Sequence, residues 1–159
     1  MSTRRIVAVA ALLLGAAAWY AFRPERLFID QTVSEQFPVA RAAAQPFVLV
    51  AGGFRGVAHE TRGAATVYQF PDGKKTLRLT DFHTSNGPDV QVYLVAADDA
   101  ADNETVTRAG FITLGALKGN VGDQNYELPA DIDLGKYRAV TIWCRRFGVN
   151  FATAPLRKA

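Results

Sequence analysis

The only cysteine of this 159-residue chain, Cys144, lies between a tryptophan and two arginines. A single cysteine cannot form an intramolecular disulfide, so it is either a free thiol or pairs with a thiol on another molecule. The thiolate is the reacting form, and the neighbouring Arg145 and Arg146 favour it. The segment RRFG predicts that the strand ends just after the thiol, near a rim of the sheet. Cys144 is therefore our candidate redox residue.

The same cysteine also fits a purely structural role. Free cysteine is among the residue types most often buried, and strand alternation places Cys144 on the same apolar face as Val140 and Ile142. A role as a catalytic nucleophile would need an oriented base and an oxyanion site, and no motif in the chain identifies them. The sequence leaves a redox or ligand-binding thiol and a packing residue as open alternatives.

The two histidines, His59 and His83, are the other candidate cofactor ligands. Two histidines and a thiolate suit copper or zinc, and histidine or cysteine can also ligate haem iron. No motif indicates haem or copper, and the separated positions of the three residues lead us to predict no metal site. Asp81 and Asp89 flank an Asn-Gly-Pro turn, where they suit a calcium site or, more commonly, Asx-turn capping.

Residues 1–26 have the pattern of a membrane anchor. Two arginines precede the seventeen uncharged residues Ile6–Phe22, which would measure about 25 Å as a helix and would just cross a hydrocarbon core of about 30 Å. Trp19 and Tyr20 suit a membrane interface. A cleaved signal peptide shows a similar pattern, but bulky residues follow the alanines where small ones would mark cleavage. We therefore favour an uncleaved anchor with the C-terminal part outside the cytoplasm, in the periplasm or at the cell surface.

The remaining chain is predicted to comprise a stalk and one domain. Residues 27–45 are polar and Ala-rich without clear periodicity, whereas residues 46–159 have the usual size of a single domain. The net charge of +3 is mild and includes the basic N-terminus. Lysines and arginines do not cluster with aromatic residues, so we predict no nucleic-acid partner.

Alternation of apolar and polar residues with period two predicts an all-β domain. A Pro-Asp-Gly turn separates the alternating segments Ala65–Phe70 and Thr76–Phe82, which is a hairpin signal. Several further short segments are separated by turns, and the acidic stretch Asp98–Thr105 is predicted to be a solvated loop. This spacing predicts an antiparallel, barrel-like β-sandwich with little helix beyond the N-terminal transmembrane helix.

One strand face of this domain is expected to lie in the core. Val90, Val92 and Leu94 alternate with other side chains after the Asn-Gly-Pro turn. We expect this face to pack against the strand that carries Val140 and Ile142.

Four motifs occur in this domain in the order seen in a known family. They are the Gly53–His59–Gly63 spacing, the turn Asn86–Gly87–Pro88–Asp89, the turn Leu117–Lys118–Gly119 with Gln124 and Tyr126, and Trp143–Cys144. From about Phe47 to Leu156 the chain resembles the DM-thirteen domain family. That module occurs in bacterial anchored proteins and beside DOMON domains in animal proteins related to Skeletor. The resemblance implies an electron-transfer module whose redox residue is Cys144.

The resemblance also ranks the candidate ligands. His59 matches the family's histidine position, whereas the motif around His83 is recognisable without its histidine. It thus implies His59 and Cys144 as cofactor-binding residues and leaves the cofactor unknown. Two functional classes follow: a membrane-tethered redox module that exchanges electrons with a partner protein, or a non-enzymatic binding or structural sandwich whose cysteine is packing. An electron-transfer or binding module is thus favoured over a stand-alone enzyme.

Overall fold

The structure, a computed structural model, describes residues 3–22, 29–38 and 45–158. Its first element is helix α1 (Thr3–Phe22), which is apolar after its two arginines. Within the described chain, the window Thr3–Tyr20 is the one helical stretch long and apolar enough to cross a membrane, and none of it is buried. A signal sequence at an N-terminus meets the same criterion, so length and composition alone make α1 a candidate span.

The described residues of the domain form two β-sheets, which we call sheet A and sheet B. Sheet A has the strand order β1-β8-β5-β4-β2-β11. Its strands are β1 (Thr32–Ser34), β2 (Phe47–Gly53), β4 (Arg62–Gln69), β5 (Lys75–His83), β8 (Val121–Glu127) and β11 (Arg157–Lys158). All neighbours are antiparallel except β1 and β8, which are parallel.

Sheet B has the strand order β3-β10-β9-β6-β7, with antiparallel neighbours throughout the described part. Its strands are β3 (Arg55–Gly56), β6 (Val90–Val95), β7 (Phe111–Ala116), β9 (Ala139–Cys144) and β10 (Val149–Pro155). Every residue of the central strands β6 and β9 is buried. These strands therefore have packing partners on both faces.

The inner faces of the two sheets form the main core. Leu77 and Leu79 of sheet A belong to the same apolar cluster as Val92, Leu94 and Ile142 of sheet B. Val92 lies opposite Ile142, and Leu94 lies opposite Val140, in the pairing of β6 with β9. The expected contact between these two strands is thus confirmed, as neighbours within one sheet. Burial of this apolar face supplies the main drive for folding.

The outer face of sheet B is covered by a short helix, α2 (Asn103–Ala109). Its Val106 packs in a second apolar cluster with Tyr93 and Trp143. The side chain of Asp102 caps the helix by accepting a hydrogen bond from the backbone N–H of Thr105 at 2.7 Å. The stretch Asp98–Thr105, predicted as a solvated loop, therefore ends in the first residues of a helix, because an aspartate before a polar first turn is a capping signal.

The predicted antiparallel β-sandwich is confirmed, and the two sheets stay separate rather than closing into a barrel. The hairpin of β4 and β5 also forms, with Gly73 in its turn at a φ of 84°. Residues 32–34, which the sequence assigned to the stalk, pair with β8. The boundary at residue 46 stays a prediction.

Candidate functional site

Cys144 is the last residue of β9, and its side chain is completely buried. It lies opposite Val90 of β6 and Val149 of β10 and belongs to the main core. The predicted strand end is correct, since an exposed turn, residues 145–148, follows directly. The thiol is therefore packed among apolar side chains one residue away from a solvent-exposed turn.

Several loops meet the end of the sandwich at which Cys144 lies, which we call the thiol end. The pairing of Val90 with Cys144 brings the start of β6 to this end. The loop of residues 84–89 connects it to His83, which in turn lies opposite Val121 at the start of β8 and Arg62 at the start of β4. The thiol end is thus formed by residues 84–89, the turn 145–148 and the loop that precedes β8.

The turn after Cys144 is fastened to the loop of residues 84–89 by one aspartate. The backbone N–H of Arg145 donates to the carbonyl oxygen of Asp89 at 2.9 Å, and its Nε donates to Oδ2 of Asp89 at 2.8 Å. Asp89 also accepts from Nε2 of Gln91. These contacts engage both carboxylate oxygens of Asp89 with side-chain donors of the protein. The guanidinium predicted to act on the thiol is instead paired with this carboxylate.

His59 lies at the same end and packs, with its ring tilted, against an aromatic ring of the core. The imidazole centroid is 3.9 Å from the ring centroid of Phe151, and the backbone N–H of His59 donates to the carbonyl of Phe151 at 3.2 Å. Phe151 in turn belongs to the core cluster that contains Cys144. A side chain at Gly87 would collide with Phe151 and Val90, so this glycine lets the loop close over the ring.

The candidate ligands do not converge. In the described ranges, no group of three or more histidine, cysteine, aspartate or glutamate residues is placed to hold a metal ion. His83 is the last residue of β5. The backbone N–H of Asp81, in the same strand, donates to Oδ1 of Asp123 at 3.0 Å. The roles of Cys144 and His59 as redox or cofactor-binding residues stay predictions.

A buried polar network beside the thiol end was not predicted from the sequence. The amide of Gln124, which has no exposed surface, accepts the backbone N–H of Lys118 at 3.1 Å and of Gly119 at 3.4 Å. Its Nε2 donates to the carbonyl of Gly119 at 2.7 Å, and Oη of Tyr126 donates to its Oε1 at 2.8 Å. Burial raises the pKa of Tyr126 far above its usual value near 10. The turn Leu117–Lys118–Gly119 is therefore held by Gln124 and Tyr126, and it positions the loop that precedes β8.

The same loop holds the segment that leads in from α1. Asn120 accepts the backbone N–H of Gln31 at 2.7 Å and donates its Nδ2 to Oδ1 of Asp30 at 2.7 Å and to the carbonyl of Thr84 at 3.1 Å. Asn86 donates to the carbonyl of Ile29 at 2.9 Å. The segment therefore enters the sandwich at the thiol end.

An ion pair also secures this segment farther along β8. Lys118 Nζ donates to both carboxylate oxygens of Glu35, and the backbone N–H of Asn125 donates to Oε2. Burial alone would raise the pKa of Glu35, but these hydrogen bonds and the charge of Lys118 bring it below its usual value. The pairing of β1 with β8 is thus supported by side chains at both ends.

This arrangement can position one thiol under a turn and keep it away from water. The arrangement is compatible with two roles of the thiol: exchange with a disulfide after the turn moves, or packing in the core. A protein-family model described as Electron transfer DM13 matches residues 53–156, which are more than half of the chain and include both His59 and Cys144. No curated protein and no solved structure matches the chain.

Proposed function

The chain belongs to the electron-transfer DM13 family, and from this membership we propose a membrane-anchored, extracytoplasmic electron-transfer module whose redox residue is Cys144. The observation that carries the proposal is the position of the only thiol within the family's matched region, one residue before an exposed turn. Helix α1 is the candidate anchor. A redox partner in the same compartment completes the proposed role.

The chemistry available to one thiol is exchange with a partner disulfide. The Cys144 thiolate attacks one sulfur of that disulfide and forms a mixed disulfide, while the original S–S bond breaks and its electron pair leaves with the partner's other thiolate. A second thiolate then displaces Cys144 from the mixed disulfide and restores the free thiol. The partner supplies the disulfide, and a reduced thiol of a second molecule supplies the displacing thiolate, so that electrons pass from that thiol to the partner.

Burial of Cys144 makes this exchange a gated reaction. Two sulfur atoms must come within about 2.05 Å to bond, whereas Cys144 has no exposed surface in the folded protein. The turn 145–148 is the element that would have to move. It is held at Arg145 by Asp89 and contains Gly148 with a left-handed φ of 61°. The proposal thus requires local opening of this turn without unfolding of the domain.

The alternative function is that of a binding or structural sandwich in which Cys144 is packing. Its complete burial within the main core favours this role. Under this alternative, Cys144 should react only when the whole domain unfolds. The two functions therefore differ in how the reactivity of the thiol depends on local and global opening.

A pair of glycine variants separates the two modes of opening. Gly148→Ala strains the turn beside the thiol, and Gly73→Ala strains the β4–β5 turn in the same way, since both glycines have positive φ. An added Cβ meets nothing at Gly73 and makes only an ordinary contact with Trp143, at 3.9 Å, at Gly148. The left-handed conformation costs a non-glycine residue roughly 1–2 kcal/mol. If opening is local, Gly148→Ala should accelerate the reaction of Cys144 with an aromatic disulfide reagent by about fivefold or more. Gly73→Ala should leave that rate unchanged.

The measurement is the absorbance of the coloured thiolate released, at one equivalent per chain, from the full-length protein in detergent. Cys144→Ser should release none. Equal acceleration by the two glycine variants, or reaction only at the rate of global unfolding, would show that Cys144 is a packing residue. Two separate experiments test the anchor and its orientation. Carbonate extraction should leave the chain in the membrane, and added protease should reach the domain in right-side-out membranes.

A further inference from the structure

The path of the chain fixes which end of the sandwich is tethered to α1. Helix α1 ends at Phe22, and Ile29 is already held at the thiol end by Asn86. Seven peptide units separate these two residues and reach at most about 25 Å when fully extended. If α1 spans the membrane, as in the proposed function, the thiol end lies within that reach of the membrane surface.

The opposite end of the sandwich is farther away. Strand β4 runs the length of sheet A, and its eight residues measure about 26 Å. Phe47 begins β2 opposite Gln69, the last residue of β4, so it lies at the far end. The length of a sandwich strand thus equals or exceeds the reach of the tether.

The turn 145–148 is the exposed tip of the thiol end. It lies beside the tether attachment, since Asp89, which binds Arg145, is three residues from Asn86 and thus at most about 10 Å from it along the chain. Phe147 is 68% exposed, although phenylalanine favours burial. Arg146 is exposed, and no ion pair joins it to another of the described residues. A cationic and an aromatic side chain thus project together from the end nearest the anchor.

We propose that the turn Arg145–Gly148 contacts an anionic membrane surface, with Arg146 at the lipid phosphates and Phe147 in the headgroup region. Exposed aromatic side chains favour that region, and basic residues next to an anchor are attracted to anionic lipid. The tether sequence adds one net positive charge, since its two arginines, Arg23 and Arg26, outnumber Glu25. The contact makes the membrane a second partner of the domain and directs the thiol end towards it. The inference rests on the anchorage in the proposed function but not on the redox role of Cys144.

The test compares two equally exposed phenylalanines in the full-length protein. Phe147 and Phe47 are 68% and 66% exposed. Phe147→Cys and Phe47→Cys, each in a Cys144→Ala background, are labelled with an environment-sensitive fluorophore and reconstituted in phosphatidylcholine vesicles with or without phosphatidylglycerol. Lipids that carry a nitroxide at the headgroup serve as quencher. Circular dichroism establishes that both variants are folded.

In anionic vesicles, the label at position 147 should be quenched at least about twofold more than the label at position 47. Removal of phosphatidylglycerol, or the additional change Arg146→Ser, should reduce this difference. Equal quenching at the two positions in a chain that floats with the vesicles would overturn the turn contact and leave the anchor standing. A chain that does not float would overturn both the anchor and the contact. The redox proposal is unaffected by either result, because the background lacks the thiol.

Discussion

Replacement of Gln124 by leucine should destabilise the domain more than removal of its hydrogen-bonding neighbour, the hydroxyl of Tyr126. Gln124→Leu leaves both the backbone N–H and the carbonyl of Gly119 without their partner in the network. The backbone N–H of Lys118 keeps Oη of Tyr126 as an acceptor at 3.2 Å, and that hydroxyl can donate to the carbonyl of Ala116. Each buried polar group left unsatisfied costs about 1–3 kcal/mol, so the two groups of Gly119 cost about 2–6 kcal/mol.

Tyr126→Phe is the matched comparison, because the buried backbone groups of Gly119 keep their partners and the only backbone group that loses a donor is the carbonyl of the exposed Ala116, at 3.4 Å. Oε1 of Gln124 keeps two backbone donors, and the N–H of Lys118 keeps Oε1 as its acceptor. The expected loss is that of one ordinary hydrogen bond, about 0.5–1.5 kcal/mol. Urea unfolding of both variants, followed by tryptophan fluorescence, measures the difference. A loss in Tyr126→Phe that equals or exceeds that in Gln124→Leu would refute the assignment of the network.

The position of Gly119 predicts where the local effect appears. A Cβ at Gly119 would overlap the carbonyl of Gln31, so this loop packs directly on the segment that enters β1. Hydrogen exchange in Gln124→Leu should therefore accelerate in β1 beyond the change expected from the lower global stability. Leu94→Ala, in sheet B, supplies a destabilised control without this selective effect. Uniform acceleration in both variants would mean that Gln124 does not secure β1.

Two further predictions concern the core and the pH dependence of stability. Leu94→Ala should lower the free energy of unfolding by about 2–5 kcal/mol, because Leu94 is completely buried between the sheets; a melting temperature unchanged within error would place it outside the core. Burial raises the pKa of Tyr126 above its usual value near 10, so the unfolded chain releases this proton first and its stabilising contribution falls as pH rises above about 10. Denaturation between pH 9 and 11 should therefore show a shallower decline in Tyr126→Phe than in the unaltered protein, and parallel declines would contradict this.

The sequence was most informative where local rules decide the structure. The Pro-Asp-Gly turn predicts the β4–β5 hairpin because Gly73 can adopt a positive φ at no steric cost. Alternation also predicts the inward face of Val92 and Leu94, because a strand turns successive side chains to opposite sides. These features depend on residues that are neighbours in the chain.

Features that depend on distant segments could not be predicted in this way. Strand β1 is only three residues long, and it can approach β8 because Gly119 and Gly122 leave room for its backbone. The burial of Cys144 depends on Val90 and Val149, which flank the thiol in neighbouring strands. The sequence predicted correctly that the strand ends just after Cys144. It did not predict that neighbouring side chains cover this strand end, so that the thiol is buried and does not lie at an exposed rim.

The pairing of β1 with β8 also determines which truncated fragments of the protein would keep their sheet edges covered. Strand β1 occupies the outer hydrogen-bonding edge of β8, and β2 occupies that of β4. A fragment limited to residues 53–156 would lose β1 and nearly all of β2, and would present rows of unpaired backbone groups on β8 and β4. Such edges pair with those of other copies and lead to aggregation. Aggregation of that fragment would then reflect the missing strands and would carry no information about the thiol.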